Sequence, residues 1–287
     1  MPKYHGKFEK KSRPRLFLWI GVGCSVLALV CACFIVKFLY QAAKASNTRR
    51  QAIQDYVILP TPPESEAAAP EETAIETTAE TIEETAEETT VPTEPPRFPT
   101  IDFAGLREEN EDVVAWLQIP ALEIINYPVV LGEDNAYYTT RAWNGEESEN
   151  GAIFLDFQNQ GDFSQVHNIL YGHCMKDGSM FQSLGKWEGP EFYSSSDRTV
   201  LLYLPEETRV YEIFAVERVN ALDTRVYKTD YTTDEVWEAA LMETIHKSQH
   251  GTDLELTAQS EVLTLSTCVG DMDRLVVHAV CVEHVPL

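Results

Sequence analysis

Residues Leu16 to Val36 read LFLWIGVGCSVLALVCACFIV, 21 residues without a charge. At about 1.5 Å per residue, a helix of that length covers the roughly 30 Å hydrocarbon core of a bilayer. Inside lipid, only a helix satisfies every backbone group within a single segment. The run therefore marks a membrane helix over residues 16–40 and limits what the rest of the chain can be. A small-residue stretch at Ala43 to Ala45 has the look of a processing site. Cleaved leaders, however, usually carry an apolar region of about 7–15 residues, so an uncleaved anchor is expected. Ahead of the run, Lys3, Lys7, Lys10, Lys11, Arg13 and Arg15 stand against Glu9 alone. That basic cluster favours a cytoplasmic tail over 1–15 and an extracellular location for everything after Tyr40.

The formal charge of −24 is unevenly spread: residues 1–50 carry +9, residues 51–96 carry −12, and residues 97–287 carry −21. A surface this acidic excludes a nucleic-acid partner, whose phosphates need Lys and Arg to release their counterions. It suits a basic partner, a cationic substrate, or simply solubility. Residues Thr61 to Pro96 consist mainly of Pro, Glu, Thr and Ala with almost no large apolar side chain, a composition that stays extended and unfolded. Residues 41–99 are accordingly expected to be an extracellular linker, a stalk between membrane and domain. Three of the six cysteines lie in the apolar run, leaving Cys174, Cys268 and Cys281. An odd number is a poor disulfide framework, so at least one extracellular thiol is expected to serve another purpose.

The folded part is expected over 100–287. It opens on IDFAGLREENEDVVAWLQI, where Phe103, Leu106, Val113, Trp116 and Leu117 recur at helical spacing behind Asp102 as N-cap. Strands are expected at 124–131, 152–156, 166–171, 199–204, 209–219, 262–268 and 274–282, each bounded by Gly, Pro, Asn or Asp. One helix interrupts them, TDEVWEAALMETIHKSQHG, opening on Thr233 and closing on Gly251. Many strands with few helices give a mainly β protein, a barrel or a sandwich with appended helices.

Reactive side chains gather in three places: His173 in ILYGHCMKDGSMF, Cys268 in LTLSTC, and Arg274 after the turn VGDMD. If the last two segments form a hairpin, Cys268 and Arg274 share a patch of surface provided the register puts them on one face. A nearby cation favours the thiolate of an accessible cysteine. Arg274 does not give up its proton, so its use would be to hold a carbonyl or a developing oxyanion. Proton delivery falls to a histidine, and His173, at a strand end beside Gly172, is the best placed. His278 reads as an ordinary strand histidine, and His167 has no evident partner. His246 and His250 lie four apart on the expected helix but lack a third metal ligand. Cys281 reads as packing, and Cys174, next to His173 on a strand, as a small buried residue facing away from it. A disulfide between Cys174 and Cys268 is an open alternative.

The order and spacing of IDFAGLREENEDVVAWLQIP, YPVVLGEDNAYY, GAIFLDFQN, ILYGHCMKDGSMFQSL, YKTDY and LTLSTC…RLVVHA resemble the sortases, membrane-anchored cysteine transpeptidases of Gram-positive cell surfaces, and within them class B. The resemblance covers nearly all of residues 100–287. It implies an eight-stranded β-barrel with an N-terminal helix and a helix before the cysteine strand. It also implies roles: Cys268 as nucleophile, His173 as the acid that protonates the leaving group, and Arg274 as the group holding the substrate carbonyl. Ser266 and Asn135 fall where class B enzymes contact the sorting peptide, and Thr267 is counted with them. The implied reaction, in the class EC 3.4.22, cleaves a C-terminal sorting motif after Thr through a thioester. The acyl group then passes to a cell-wall precursor or pilin amine. No metal or cofactor is expected, the implied partners are sorting-motif surface proteins, and a monomer is expected.

The chain departs from the class pattern in three places: Cys174 stands where Asn is usual after the histidine, Thr139 where Leu is usual four residues after Asn135, and the turn from Cys268 to Arg274 is short. Two other functions fit the same residues. A hydrolytic cysteine peptidase would form product with water alone. A non-catalytic peptide-binding barrel would leave Cys268 unreactive.

Overall fold

This computed structural model describes residues 14–60, 97–269 and 272–287, leaving out the side chains of 14–21, 23, 268 and 269. Residues 1–13 of the expected tail, the Pro/Glu/Thr tract over 61–96 and the middle of the turn between Cys268 and Arg274 lie outside the described residues. The chain divides into two compact units, Met1–Thr48 and Arg49–Leu287.

Helix α1 runs Pro14–Tyr56, and an 18-residue window within Cys24–Tyr56 reaches a mean hydropathy of 2.1 with none of it buried. Leu27, Leu29, Phe34 and Ile35 stand exposed along it. A helix with that many exposed apolar side chains is a candidate membrane span.

The second unit is a closed eight-stranded barrel. Its strands are β3 (Val113–Gln118), β4 (Asn126–Val130), β5 (Ile153–Leu155), β6 (His167–Gly172), β7 (Thr199–Tyr203), β8 (Glu207–Asn220), β9 (Val262–Val269) and β10 (Asp273–Pro286). They close in the order β10-β8-β7-β3-β4-β5-β6-β9. The β4–β5 and β6–β9 pairings are parallel and the other pairings are antiparallel. Alternate residues fill the interior, among them Leu117, Val129, Leu155, Leu170, Leu202, Ile213, Leu263, Leu265 and Val277. Outside the barrel, helix α4 (Asp234–Lys247) covers Phe214, Val262 and Val280 with Trp237 and Leu241. The Thr233 hydroxyl caps α4 by accepting from the Val236 N–H, as its position in the sequence suggests. Helix α3 (Pro190–Ser195) begins behind Gly189 with Pro190 at its first position.

The expected long entry helix is in fact two elements. Helix α2 covers only Phe103–Glu109, with Asp102 accepting from the Gly105 N–H at its N-terminus, and the chain then becomes strand β3. Val113, Trp116 and Leu117 match a helical repeat, but VVAWLQ also carries β-branched and aromatic residues that suit a strand buried on both faces. The described chain also departs from the expected linker. Residues Val57–Ile58 form β1, which pairs with β2 (Thr100–Ile101). Ala52 and Ile53, from the last turns of α1, pack with Ile101, Phe103, Leu106 and Trp143. Residues 57–58 and 100–101, which flank the acidic tract, therefore pair within one unit.

Candidate active site

Strand register pairs Cys268 with Arg274, and the end of β6 brings His173 to the groove that Arg274 lines. Strand β9 pairs with β10 so that Cys268 and Arg274 are direct cross-strand partners. On its other side β9 pairs in parallel with β6, Tyr171 opposite Ser266 and Gly172 opposite Thr267. His173 follows directly on Gly172, the last residue of β6. The Cys268 side chain lies outside the described atoms, and so does any disulfide it would make with Cys174.

His173 is held from the far side of the groove: its Nε2 lies 2.6 Å from the Thr139 carbonyl oxygen. A carbonyl only accepts, so Nε2 carries a hydrogen and Nδ1 is the nitrogen left for chemistry. Two glycines make this placement possible. Gly151 sits at φ +62°, and a Cβ there would lie 2.7 Å from the Tyr138 carbonyl, 2.9 Å from that of Thr139 and 3.0 Å from the His173 ring. A Cβ on Gly172 would meet Ile153 at 2.6 Å and the Phe181 ring at 2.8 Å. Cys174 is not buried: β6 ends at Gly172, and Cys174 stands exposed, because the chain has left the sheet and strand alternation no longer governs it.

His173 and Arg274 line an open groove of about 320 Å³ together with Asn135, Thr139, Ser266 and Thr267. Arg274 is half-buried and donates from Nη1 to the Asp273 carbonyl at 2.9 Å. Asn135 is part of the wall: its Nδ2 donates to Asp156 Oδ2 at 2.9 Å and its Oδ1 accepts from the Phe157 N–H at 3.0 Å. One donor and one lone pair remain for a ligand. Ser266 Oγ is 3.1 Å from the Tyr227 hydroxyl. The Thr267 hydroxyl is buried with no hydrogen-bond partner among the described residues.

Residues that sequence reasoning missed form the groove's aromatic side. Tyr171 stacks on Tyr227 with ring centroids 6.0 Å apart and donates its hydroxyl to Asp156 Oδ2 at 2.8 Å. Burial and the Asp156 charge push the Tyr171 phenol well above its ordinary range, so it remains a neutral donor. Nothing in the local pattern marks these rings; they come together only when the loop after β8 folds back over β6.

Beneath the cysteine strand runs a buried polar chain. His167 Nδ1 is 2.6 Å from the Lys228 carbonyl oxygen and its Nε2 2.7 Å from Thr264 Oγ1. Thr264 Oγ1 is 2.8 Å from His278 Nδ1, and His278 Nε2 is 3.2 Å from Glu217 Oε1. Arg225 completes the chain at 2.7 Å from Glu217 Oε2. Burial alone would raise the Glu217 carboxyl, but hydrogen bonds from His278 and Arg225 outweigh it and hold it below the usual range. His167 and His278 thus have structural partners that the sequence did not reveal. Helix α4 ends at Lys247, so His246 and His250 do not share a helical face; His250 instead bonds the Trp187 carbonyl at 2.7 Å and stacks on Tyr193.

Residues 117–282 match the sortase domain family model. Over 169 residues the chain is 32% identical to sortase B of Listeria monocytogenes, a match covering 58% of this chain and 67% of that protein. Sortase B of Bacillus anthracis in complex with AAEK1 superposes with a TM-score of 0.59 at 36% identity, covering 63% of this chain and 84% of that one. A Staphylococcus aureus sortase B–substrate complex gives 0.59 at 28% identity over 63% of this chain and 84% of that one. These matches agree: the chain belongs to the sortase family, in class B.

Proposed function

We propose that this sortase is a cysteine transpeptidase anchored through α1, with Cys268 as nucleophile, His173 as proton carrier and Arg274 as the holder of the substrate carbonyl. The observation that supports this most is that His173 and Arg274 line one groove while Cys268 is the cross-strand partner of Arg274.

The chemistry follows from the residue types. The Cys268 thiolate attacks the carbonyl carbon of a threonine in a sorting motif, and negative charge builds on the carbonyl oxygen, where the Arg274 guanidinium has donors to offer. The C–N bond breaks, and the leaving amine takes a proton from imidazolium His173. A thioester remains on Cys268. A cell-wall precursor or pilin amine attacks it, gives a proton back to His173 and leaves the threonine in a new amide, with the thiolate regenerated. Asn135, Ser266 and Thr267 hold the peptide, Asn135 with one donor and one lone pair to offer.

The test uses residues 49–287, which form one compact unit, with sorting-type peptides and an added amine. Amine-dependent formation of the new amide, lost in Cys268→Ala, is expected. Cleavage at the same rate with water alone would replace transpeptidation by hydrolysis. Turnover retained in Cys268→Ala would remove the nucleophile assigned here.

A further inference from the structure

At the end of the barrel away from Cys268, three residues bring different donor atoms together. The Sγ of Cys281, a ring nitrogen of His284 and a carboxylate oxygen of Glu261 all lie within 4.8 Å of one another. Spacing alone would not group them, because residues three apart on a regular strand face opposite sides. Strand β10 carries a register shift between Cys281 and Glu283 against β8, so Cys281 pairs with Tyr211 and His284 with Arg209. The extra residue turns His284 onto the face that Cys281 occupies. Bulges of this kind commonly re-aim a side chain.

Several surroundings fit a bound cation. His284 Nδ1 lies 3.1 Å from Glu207 Oε2, which leaves Nε2 pointing to Glu261 Oε2 at 3.5 Å. A carboxylate on the outer nitrogen is the usual way a metal-binding imidazole is oriented. Arg209 donates to Glu207 Oε1 at 2.6 Å and to Glu261 Oε2 at 3.2 Å, so its charge offsets one carboxylate. The other carboxylate and a Cys281 thiolate would balance a dication. The Tyr211 hydroxyl, buried without a hydrogen-bond partner among the described residues, belongs to the cross-strand partner of Cys281. It could bond a water in a fourth position.

We propose that Glu261, Cys281 and His284 form a binding site for a thiophilic divalent cation of the zinc type. The mixed sulfur, nitrogen and oxygen set suits zinc and disfavours magnesium and calcium, which take oxygen ligands. Tetrahedral zinc needs ligand atoms about 3.3–3.8 Å apart, given bond lengths of about 2.0–2.3 Å. The cluster must therefore tighten by roughly an ångström, and the side chains of His284 and Glu261, 42% and 36% exposed, have room to do so. Binding releases the Cys281 thiol proton to solvent as the Cys281–metal bond forms. The ion would tie the end of β10 to the entry of β9, some seven residues and roughly 20 Å from Cys268. It would act on stability and leave the reaction alone.

The test is a Co2+ titration of the metal-stripped full-length protein in detergent, read by the thiolate-to-cobalt charge-transfer band. One cobalt per chain is expected in the wild type and in Cys268→Ala, displaced by Zn2+, with the melting temperature raised. Cys281→Ser should abolish the band, and His284→Gln should weaken binding at least tenfold while melting like the metal-free wild type. A band that survives in Cys281→Ser, equal binding by His284→Gln, or no cobalt taken up by Cys268→Ala would each overturn the site. The alternative those results would leave is His284 bridging Glu207 and Glu261 through hydrogen bonds, with Cys281 as packing.

Discussion

At the scale of single residues, the groove depends on groups that hold the reactive ones in place. Gly151 is the sharpest case, because its positive φ and its missing Cβ both let the Thr139 carbonyl approach His173. Gly151→Ala is expected to lower kcat by about tenfold or more, with KM little changed, and to cost roughly 1–3 kcal/mol of stability for the strained backbone. Steady-state kinetics and denaturation of the 49–287 unit check both. Arg274→Lys keeps the charge but loses the planar fork. A fall in kcat/KM of about a hundredfold is expected, in line with the loss of one oxyanion donor, and near-wild-type kinetics would remove that role from Arg274. The reactive residue types were legible in the sequence: a thiol, a fixed cation and a histidine beside a glycine. The carbonyl that orients His173 was not, since backbone groups leave no mark in a residue pattern. The burial assigned to Cys174 assumed a strand that stops two residues earlier.

Among the elements, β9 has most to hold together, flanked by β6 and β10 and tied underneath by Thr264 to two buried histidines. Thr264→Val keeps the shape and leaves His167 and His278 each short of a partner, so a loss of about 1–3 kcal/mol is expected on denaturation. The same chain makes stability depend on pH. Burial lowers His167 from 6.5 to about 4 in the folded protein, outweighing the bond to the Lys228 carbonyl. Between those two values the unfolded chain binds the proton and the folded one does not, so stability is complete above pH 6.5 and falls as the pH drops towards 4. Denaturant midpoints across that window should show a steeper fall for the wild type than for His167→Gln. Most strands were legible because each is a short apolar run between turn residues. Strand β3 was not, because its apolar positions satisfy both a helical and a strand period. The bulge near Cys281 was invisible as well, since it exists only as an offset between two strands.

For the molecule as a whole, the end of α1 is part of the catalytic unit. Ala52 is 1% exposed, and Tyr56 meets Trp143 edge to face at 6.0 Å. A fragment beginning at Arg97 should therefore melt well below one beginning at Arg49, by the several degrees that about 2–4 kcal/mol of lost apolar burial implies for a unit of this size. Equal melting temperatures would make residues 49–58 dispensable. The sequence hid this because a two-residue strand carries no periodicity, and its partner lies beyond an acidic tract that reads as a spacer. The central claim concerns the covalent intermediate. Intact mass measurement of residues 49–287, mixed with sorting-type peptides and no amine, should show the protein carrying the peptide portion up to Thr, mapped to Cys268 and discharged when amine is added. An unmodified protein during turnover, or the same adduct on Cys268→Ala, would contradict it.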